Sequence, residues 1–495
     1  MLLSDLLKNT QEKKQLNFKK FNPLIKGLSS NSKDIKKGFV FVAIKGKNFD
    51  GHKFIDEAKK KGAKFIAVSS KKIIKKLKKN KIEFVISKNI RFFLSKISSN
   101  FFKNQPSFLS AVTGTNGKTS VTHITKEIWK NCNVNSGSIG TIGIITNKKK
   151  RKVELTTLDS IYLHQTLNSF YKKNIKKVCL EASSHGLDQN RIDNIKLKTA
   201  AITNITHDHL DYHKNYKLYF QSKMKLFKDI LISKGTAVIN SDLPESRYIE
   251  KLCKKQKNII ITYGKKSKDL KLIKYENEKN YQKIFIKFKN KIFSFKLPLI
   301  GYFQVYNALC SIGIIISSGI SLKKCLKNIE KIKQIPGRLE KINVPKILKN
   351  KKISIFIDYA HTPDALKKVL ETLKQTSLGQ LSLVFGCGGN RDLKKRPLMG
   401  KIARKLADKI YVTDDNPRNE SAAKIRKEIL LNCPNGKEIA SRQIAIKQAI
   451  NNCSFGETLL IAGKGHEDFQ EIKNKIKKFN DKEIVLKILN SKALN

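Results

Sequence analysis

Residues 108–120 read FLSAVTGTNGKTS: an apolar run, a glycine-rich turn and the opening of a helix. Such a turn cradles an anion. Gly114 and Gly117 let backbone N–H groups rotate inward, and the helix adds the positive end of its dipole. Lys118 is placed to reach the outer phosphates of a nucleotide, and the Thr119 hydroxyl to ligate Mg²⁺. The spacing G-x-x-G-K-T is two residues shorter than the common G-x-x-x-x-G-K-[ST] loop. Patterns this short recur by chance, so the strand-to-helix context carries the reading. That junction predicts a nucleotide enzyme of α/β class.

A chain of 495 residues has room for two to four domains, and 40% apolar residues is ordinary for a globular protein. The net charge of +61 is not. A sum this basic points to nucleic acid or an anionic membrane as partner. The lysines, however, run through every segment, and no aromatic-rich stacking patch accompanies them. KKIIKKLKKN (71–80) has apolar residues at helical spacing and reads as a helix with a solvated lysine face. Abundant Lys, Asn, Ile and Phe also fit a genome biased toward A and T codons. No specific nucleic-acid partner is expected. The eight cysteines (132, 179, 253, 310, 325, 387, 433 and 453) form no CxxC pair, and several lie in apolar runs, so buried reduced thiols are expected. No signal-peptide segment opens the chain, and no apolar run reaches bilayer length. A soluble, cytoplasmic enzyme without membrane insertion follows as the expectation.

Three blocks emerge. In the first, GFVFVAI (38–44), KFIDEAKKKGA (53–63) and KFIAVSS (64–70) alternate strand, helix and strand. A polar stretch at Asn104, Gln105 and Pro106 leads into the phosphate loop. The second block has strands that end in polar residues. KKVCLEASSH (176–185) presents Glu181, Ser183, Ser184 and His185, and KTAAITNITHDHLDYH (198–213) presents Asn204, His207, Asp208 and His209. In a mostly parallel sheet these tips face the phosphate loop, because ligands collect beyond the carboxyl ends of the strands. A hairpin-like IFIKFKNKIFSFKL (284–297), a helix around VYNALCSIGIIIS (305–317) and IPGRLE (335–340) close the block. The third restarts the alternation with ISIFIDYAHTPDALKKVLETL, LSLVFGCGGNRD, ADKIYVTDDNPR and ETLLIAGKGHED.

Glu181, at a strand end, is a candidate magnesium ligand beside Thr119. The histidines of HDHLDYH have no cysteine near them, which argues against structural zinc. DDNPR (414–418) places an acid, an amide and a guanidinium in one turn and suits a zwitterionic amino acid. Arg418 can clamp a carboxylate and Asp415 can accept from an ammonium. Arg391 in GGNRD and Glu467 in AGKGHE offer the same pair of charges from neighbouring strand ends.

GTNGKTS, EASSHGLDQNR, NITHDHLDYH, PGRLE, DYAHTPD, GCGGNRD, DDNPR and AGKGHED, in this order, resemble the motifs of the Mur ligases, and within that family those of the members that add diaminopimelate. The motifs span residues from about 32 to 470. The resemblance implies three α/β domains: an N-terminal UDP-binding domain (1–105), a central P-loop ATPase domain with a mostly parallel sheet (106–336), and a C-terminal Rossmann-like domain for the amino acid (337–495). It implies ATP and Mg²⁺, with UDP-N-acetylmuramoyl-L-alanyl-D-glutamate and meso-diaminopimelate as substrates, in a monomer. Carried over by motif, Ser32 contacts the uridine end. Thr156, Thr157, Ser183, Gln189 and Arg191 hold the muramoyl peptide. Gly114, Thr115, Asn116, Gly117, Lys118, Thr119 and Ser120 bind ATP phosphates, and Asn307, Arg338, Asp358 and His361 contact the nucleotide. Arg391, Asp415, Asn416, Pro417, Arg418, Gly463 and Glu467 take diaminopimelate. Thr119, Glu181 and His209 ligate metal, joined by Lys223 as its carbamate (N6-carboxylysine). Lys118, Glu181, His209, Lys223 and Arg338 form the catalytic set.

Two departures stand out: Gln304 where the family has Asn, and Leu158 where it has Pro, the latter expected to loosen the substrate loop. Other readings are a lysine-adding Mur ligase, a folylpolyglutamate synthase, a nucleic-acid-stimulated P-loop ATPase and a non-catalytic scaffold. SSHGLDQNR and DDNPR argue against the first two. Missing helicase-type motifs argue against the third, and occupied charged positions against the last.

Overall fold

The computed structural model describes residues 1–46, 49–73, 77, 82–206, 208–278, 280–345, 352–473 and 475–493. Most of KKIIKKLKKN, and His207, lie outside the described residues. Three sheets follow one another along the chain. The first has four parallel strands in chain order: Gly27–Ser29, Phe39–Val42, Phe65–Val68 and Phe84–Ile86.

The central sheet has eleven strands. Near its middle lies β1 (Phe108–Thr113), which runs into helix α1 (Lys118–Asn131). Parallel to β1 lie β2 (Lys177–Glu181) on one side and β3 (Leu197–Ile202) on the other. The chain first builds outward past β2 and then crosses to β3, so the order reverses at β1. Ligands bind beyond the carboxyl ends of strands at such a reversal. Register fixes what meets there: Val112 pairs with Glu181 and Thr113 with Ile202. Antiparallel strands extend the sheet at both ends. One extension is the expected hairpin, Gln282–Phe288 with Lys291–Leu297, joined through Lys289 and Asn290. Both linking residues have positive φ (47° and 60°), as a two-residue hairpin turn requires. The long helix α2 (Tyr302–Ser317) packs against α1.

The C-terminal sheet contains β4 (Ser354–Asp358), β5 (Leu381–Phe385), β6 (Lys409–Val412) and β7 (Thr458–Ala462), parallel and in the order β4-β7-β5-β6. Helix α3 (Pro363–Thr376) follows β4; Thr362 caps it by accepting from the Ala365 N–H, with Pro363 opening the first turn. A hairpin of β8 (Phe469–Ile472) and β9 (Lys475–Lys478) follows β7.

The parallel strands of all three sheets are covered on both faces, which explains why they read as apolar runs, whereas the antiparallel extension of the central sheet alternates buried and exposed residues. In β1, Leu109 and Ala111 enter one core with Ile202, Ile239 and Leu167, while Phe108 and Val112 enter another with Ile124, Trp129 and Leu309. The C-terminal sheet splits in the same way, with Leu383 and Phe385 on one side and Val384 and Ile461 on the other. Lysines stay on helix surfaces: in Ser246–Lys255, Ile249 and Cys253 are buried while Lys251, Lys254 and Lys255 are exposed. All eight cysteines are buried and free. Among the described residues no helix is long and apolar enough to cross a membrane.

Candidate active site

The strand tips converge on one cavity of about 830 Å³ between the central and C-terminal sheets. The phosphate loop forms its floor. Gly114 (φ +146°) and Gly117 (φ +88°) hold backbone angles that side chains resist, and a Cβ on Gly117 would strike Asn307 Oδ1. The Lys118 ammonium folds over the loop and donates to the Gly114 and Thr115 carbonyls, each at 2.8 Å. Desolvation lowers its pKa, against the pull of Glu181 and Asp208. Thr119 Oγ1 donates to Glu181 Oε2 at 3.0 Å and accepts from Arg338 Nη2 at 3.1 Å. The Thr141 N–H and hydroxyl complete the shell of Glu181, at 2.8 and 3.0 Å.

Cis ligands of an octahedral Mg²⁺ with 2.0–2.1 Å bonds lie about 2.9 Å apart. The 3.0 Å separation of the Thr119 and Glu181 oxygens therefore fits two such ligands. One carboxylate and one hydroxyl is the sparse protein set that a water-retaining Mg²⁺ uses.

Behind the loop, Lys223 is 1% exposed. Its Nζ donates to the Gly114 carbonyl at 2.9 Å and lies 4.4 Å from the centroid of the Tyr219 ring. Burial, reinforced by Lys118, holds this amine well below the ordinary lysine value, and Asp208 only partly opposes it. Beside it, His209 takes a left-handed backbone (φ 55°) with its Nε2 at 3.3 Å from Asp208 Oδ2. Desolvation lowers His209 to about 4, so the ring is neutral at pH 7. Burial raises the Asp208 carboxyl, but His209, His361, Lys395 and Lys118 together outweigh this and leave it low.

The C-terminal sheet supplies the roof. Arg338 lies with its guanidinium 4.5 Å from the Tyr359 ring centroid. Asn116 Nδ2 donates to Asp364 Oδ2 at the start of α3 (3.0 Å), and Lys395 Nζ donates to the His361 carbonyl (3.1 Å). Desolvation lowers His361 to about 4. Asp358, at the end of β4, accepts from the Leu339 and Ala360 N–H groups at 2.6 and 2.7 Å, yet burial raises it to about 6. Between 3.8 and 6 the folded protein therefore holds a proton that the unfolded chain has released. That contribution is full below pH 3.8 and is lost as pH rises through 6. From pH 7 to pH 5 the nucleotide-free wild type should gain about 1 kcal/mol relative to Asp358→Asn. Parallel Tm profiles of the two proteins over that range check this.

Beyond the roof, Arg391, Asp415, Asn416, Arg418, Gly463 and Glu467 line the cavity from the loops after β5, β6 and β7. Lys464 is fully buried and donates to Asn416 Oδ1 (3.0 Å) and Glu467 Oε2 (2.9 Å), while Asn416 Nδ2 donates to the same Glu467 oxygen at 3.0 Å. At the opposite end stand Thr156, Thr157, Ser183 and Arg191. Thr157 Oγ1 donates to the Glu181 carbonyl (2.9 Å), and the Ser183 N–H donates to Thr157 Oγ1 (2.9 Å).

Of the residues marked in the sequence, five do not line this cavity: Gly114, Ser32, Gln189, Lys223 and Pro417. Gly114 and Lys223 sit directly under the loop. Gln189 braces Arg191, accepting from its Nε and Nη2 at 3.2 and 2.8 Å. Ser32, in the first block, donates to Glu57 Oε2 at 2.8 Å. Leu158 is 2% exposed within a core cluster, so no loosening is visible at the substrate loop. Gln304 is buried and accepts from Asn307 Nδ2 at 2.9 Å, which leaves Asn307 Oδ1 facing Gly117. Sequence reasoning did not single out Thr141, Tyr359, Asp364, Lys395 or Lys464. Lys464 had a signal inside the AGKGHED motif, and Tyr359 and Asp364 inside DYAHTPD; Thr141 and Lys395 had none.

A phosphate loop roofed by the charged strand-end loops of a second α/β sheet defines an enzyme that brings a nucleotide together with a charged co-substrate. The chain belongs to the Mur ligase family, whose members are ATP-dependent amide ligases. Family models match residues 24–101 (Mur ligase family, catalytic domain), 112–315 (Mur ligase middle domain) and 337–465 (Mur ligase, glutamate ligase domain). It is 39% identical over 95% of both chains to the UDP-N-acetylmuramoyl-L-alanyl-D-glutamate–2,6-diaminopimelate ligase of Chelativorans sp. (strain BNC1). It is 40% identical to the enzyme of that name from Aquifex aeolicus, over 94% of both chains. A solved structure of a ligase of the same name superposes with a TM-score of 0.67 at 28% identity, covering 95% of both chains.

Proposed function

We propose that this protein is the ATP-dependent ligase that joins meso-diaminopimelate to UDP-N-acetylmuramoyl-L-alanyl-D-glutamate, a cytoplasmic step of peptidoglycan precursor synthesis. One observation carries the reading. A single cavity holds Lys118, Thr119 and Glu181 at one end and Arg391, Asn416, Arg418 and Glu467 at the other. The buried free thiols suit a reducing compartment. The site is complete within one chain, so a monomer suffices.

The free carboxylate of the D-glutamate side chain attacks the γ-phosphorus of ATP, and ADP leaves. The diaminopimelate amine then attacks the resulting acyl phosphate. The tetrahedral intermediate collapses to an amide as phosphate departs and the amine loses its proton. Thr119 and Glu181 would hold Mg²⁺, which neutralises phosphate charge when bound; His209 and the carbamate of Lys223 would serve a second ion. Lys118 and Arg338 offset charge on the transferring group. Thr156, Thr157, Ser183 and Arg191 hold the peptide, and Ser32 the distant uridine end. Asn307, Asp358 and His361 face the nucleotide. The Asn116–Asp364 bond joins the central and C-terminal domains across the cleft (106–336 and 337–495) and draws the roof over the intermediate, excluding water.

Selectivity resides in Arg391 and Arg418, which meet the distal carboxylate of diaminopimelate, while Glu467 takes its ammonium. L-Lysine lacks that carboxylate and would leave the donors of Arg391 and Arg418 that face the pocket without their acceptor. Phosphate release from ATP, measured with the muramoyl dipeptide plus meso-diaminopimelate, L-lysine or no amino acid, tests the reading. Release with diaminopimelate alone, together with tripeptide formation, supports it; preference for lysine would sink it. Arg418→Ala should raise the KM for diaminopimelate by about 10²-fold with little change in that for ATP.

A further inference from the structure

Arg418 is held in the amino-acid pocket by a residue that the recognition motifs do not include. Its backbone is left-handed (φ 51°), a conformation that costs a non-glycine residue energy and persists only where its surroundings enforce it. The enforcing element is strand β8. The Arg418 N–H donates to the Glu471 carbonyl at 3.0 Å, and the Lys473 N–H donates to the Arg418 carbonyl at 2.7 Å, so Arg418 and Ile472 form a parallel bridge. The Glu471 N–H donates to Asn416 Oδ1 at 3.0 Å, and Gln470 Nε2 donates to the Asp415 carbonyl at 2.8 Å. Strand β8 is thus the mould against which Asp415, Asn416 and Arg418 are pressed.

One contact in this set belongs to a side chain alone. Glu471 Oε2 forms an ion pair with Arg418 Nε at 3.0 Å, while Arg418 Nη1 donates to the Gly389 carbonyl at 2.8 Å. Two of the three guanidinium nitrogens are thereby fixed from opposite sides. Nη2 has no partner among the described residues, and the side chain lines the cavity. A planar fork held at two corners presents the third in one direction only, the preorganisation that bidentate carboxylate recognition needs. The pair is partly open to solvent, with side chains 22% and 31% exposed, so its bearing on folding stability is small. Its effect falls on where the guanidinium points.

We propose that Glu471 is the positioning residue for the amino-acid pocket: its carboxylate sets the direction of Arg418 and thereby the preference for an amino acid with a distal carboxylate. This rests on the reading of Arg418 given above. Without Glu471 the guanidinium keeps its charge but not its direction, so the carboxylate-bearing substrate loses affinity while L-lysine, which makes no such contact, does not. Electrostatics alone predicts the reverse. Removing an anion beside Arg418 would strengthen its attraction for a carboxylate and lower the KM.

The test is steady-state kinetics of the full-length enzyme with Glu471→Ala, Glu471→Gln, Arg418→Ala and the double variant, with Tm recorded for each. Expected for Glu471→Ala is a KM for meso-diaminopimelate raised about tenfold, short of the ~10²-fold that outright misplacement can cost. The kcat and the KM for ATP should stay within about twofold. Selectivity over L-lysine should fall by about the same tenfold factor, and Glu471→Gln, which keeps the shape and polarity of the side chain but not its charge, should lie between. In the Arg418→Ala background, Glu471→Ala should add nothing, because it acts through that guanidinium. A KM that is unchanged or lowered overturns the proposal, as does an additive double variant or an equal loss with lysine. If Arg418→Ala itself leaves the diaminopimelate KM untouched, the pocket assignment fails along with it. A failure confined to the Glu471 variants leaves that assignment standing.

Discussion

Lys118→Ala should abolish turnover, lowering kcat/KM for ATP by about 10³-fold or more, while the protein stays folded with little change in Tm. Among the described residues the ammonium bonds two carbonyls of its own loop, Gly114 and Thr115. These are weak partners for a desolvated cation, and its lowered pKa reflects that. Nucleotide phosphates are far better partners. Lys118 and Arg338 approach the Thr119–Glu181 pair from the central domain and from the start of the C-terminal domain. Removing Lys118 leaves Arg338 to balance the transferring phosphoryl charge from one side only. Arg338 is further engaged over the face of Tyr359. Because the lost contacts lie within a single loop, the fold tolerates the change. Phosphate release under saturating ATP and the muramoyl dipeptide, beside thermal unfolding of the same sample, measures both halves. Retained turnover would mean that the loop binds something other than the reacting nucleotide.

The fold was largely legible because the parallel strands of each large sheet are covered on both faces. FLSAVT, KVCLE, LSLVF and TLLIA are unbroken apolar runs, each followed by glycine or polar residues, and that pattern alone places strand ends at the site. The motifs inside those loops were legible for the same reason: a glycine that must hold positive φ, as Gly114 and Gly117 do, advertises a special backbone. What escaped is whatever acts across chain separation. Asp364 meets Asn116 from 248 residues away, and Thr141 reaches Glu181 from the unremarkable stretch IGTIG. Asp364 closes the DYAHTPD motif, yet nothing there points to Asn116, and no local pattern marks Thr141, because the partner that gives each its meaning lies on another element. Register was equally hidden. That Glu181 lies level with Val112, beside the loop, follows from sheet pairing and not from its own neighbours in sequence. Charge misled least where it was most extreme. The lysines that make the chain so basic occupy solvated faces such as Lys251, Lys254 and Lys255, while buried cations such as Arg396, Arg442 and Lys464 are paired with carboxylates.

Lys223 is the exception that chemistry must account for. Among the described residues no carboxylate pairs with it; a carbonyl oxygen and the face of Tyr219 are its neighbours, and Lys118 repels it. A buried ammonium so poorly compensated favours the neutral amine. A neutral amine is nucleophilic toward CO₂. The nitrogen lone pair adds to carbon, one proton is released, and the product is a carbamate anion in place of a cation. That sign reversal removes the repulsion with Lys118 and creates an oxygen ligand beside His209. We therefore expect Lys223→Met, which keeps much of the length and none of the nitrogen chemistry, to lower kcat by about 10²–10³-fold, with KM for diaminopimelate within about twofold. Enzyme equilibrated with ¹³C-bicarbonate should show one carbamate resonance that is absent from the variant. Stripping CO₂ at low pH, where the amine is reprotonated, should lower wild-type activity, and restoring bicarbonate should recover it. Both proteins should unfold at nearly the same temperature, since methionine suits a buried site without a charge to balance. Full activity of Lys223→Met would leave the burial of this lysine a feature of packing alone, and would limit the proposed metal ligands to Thr119, Glu181 and His209.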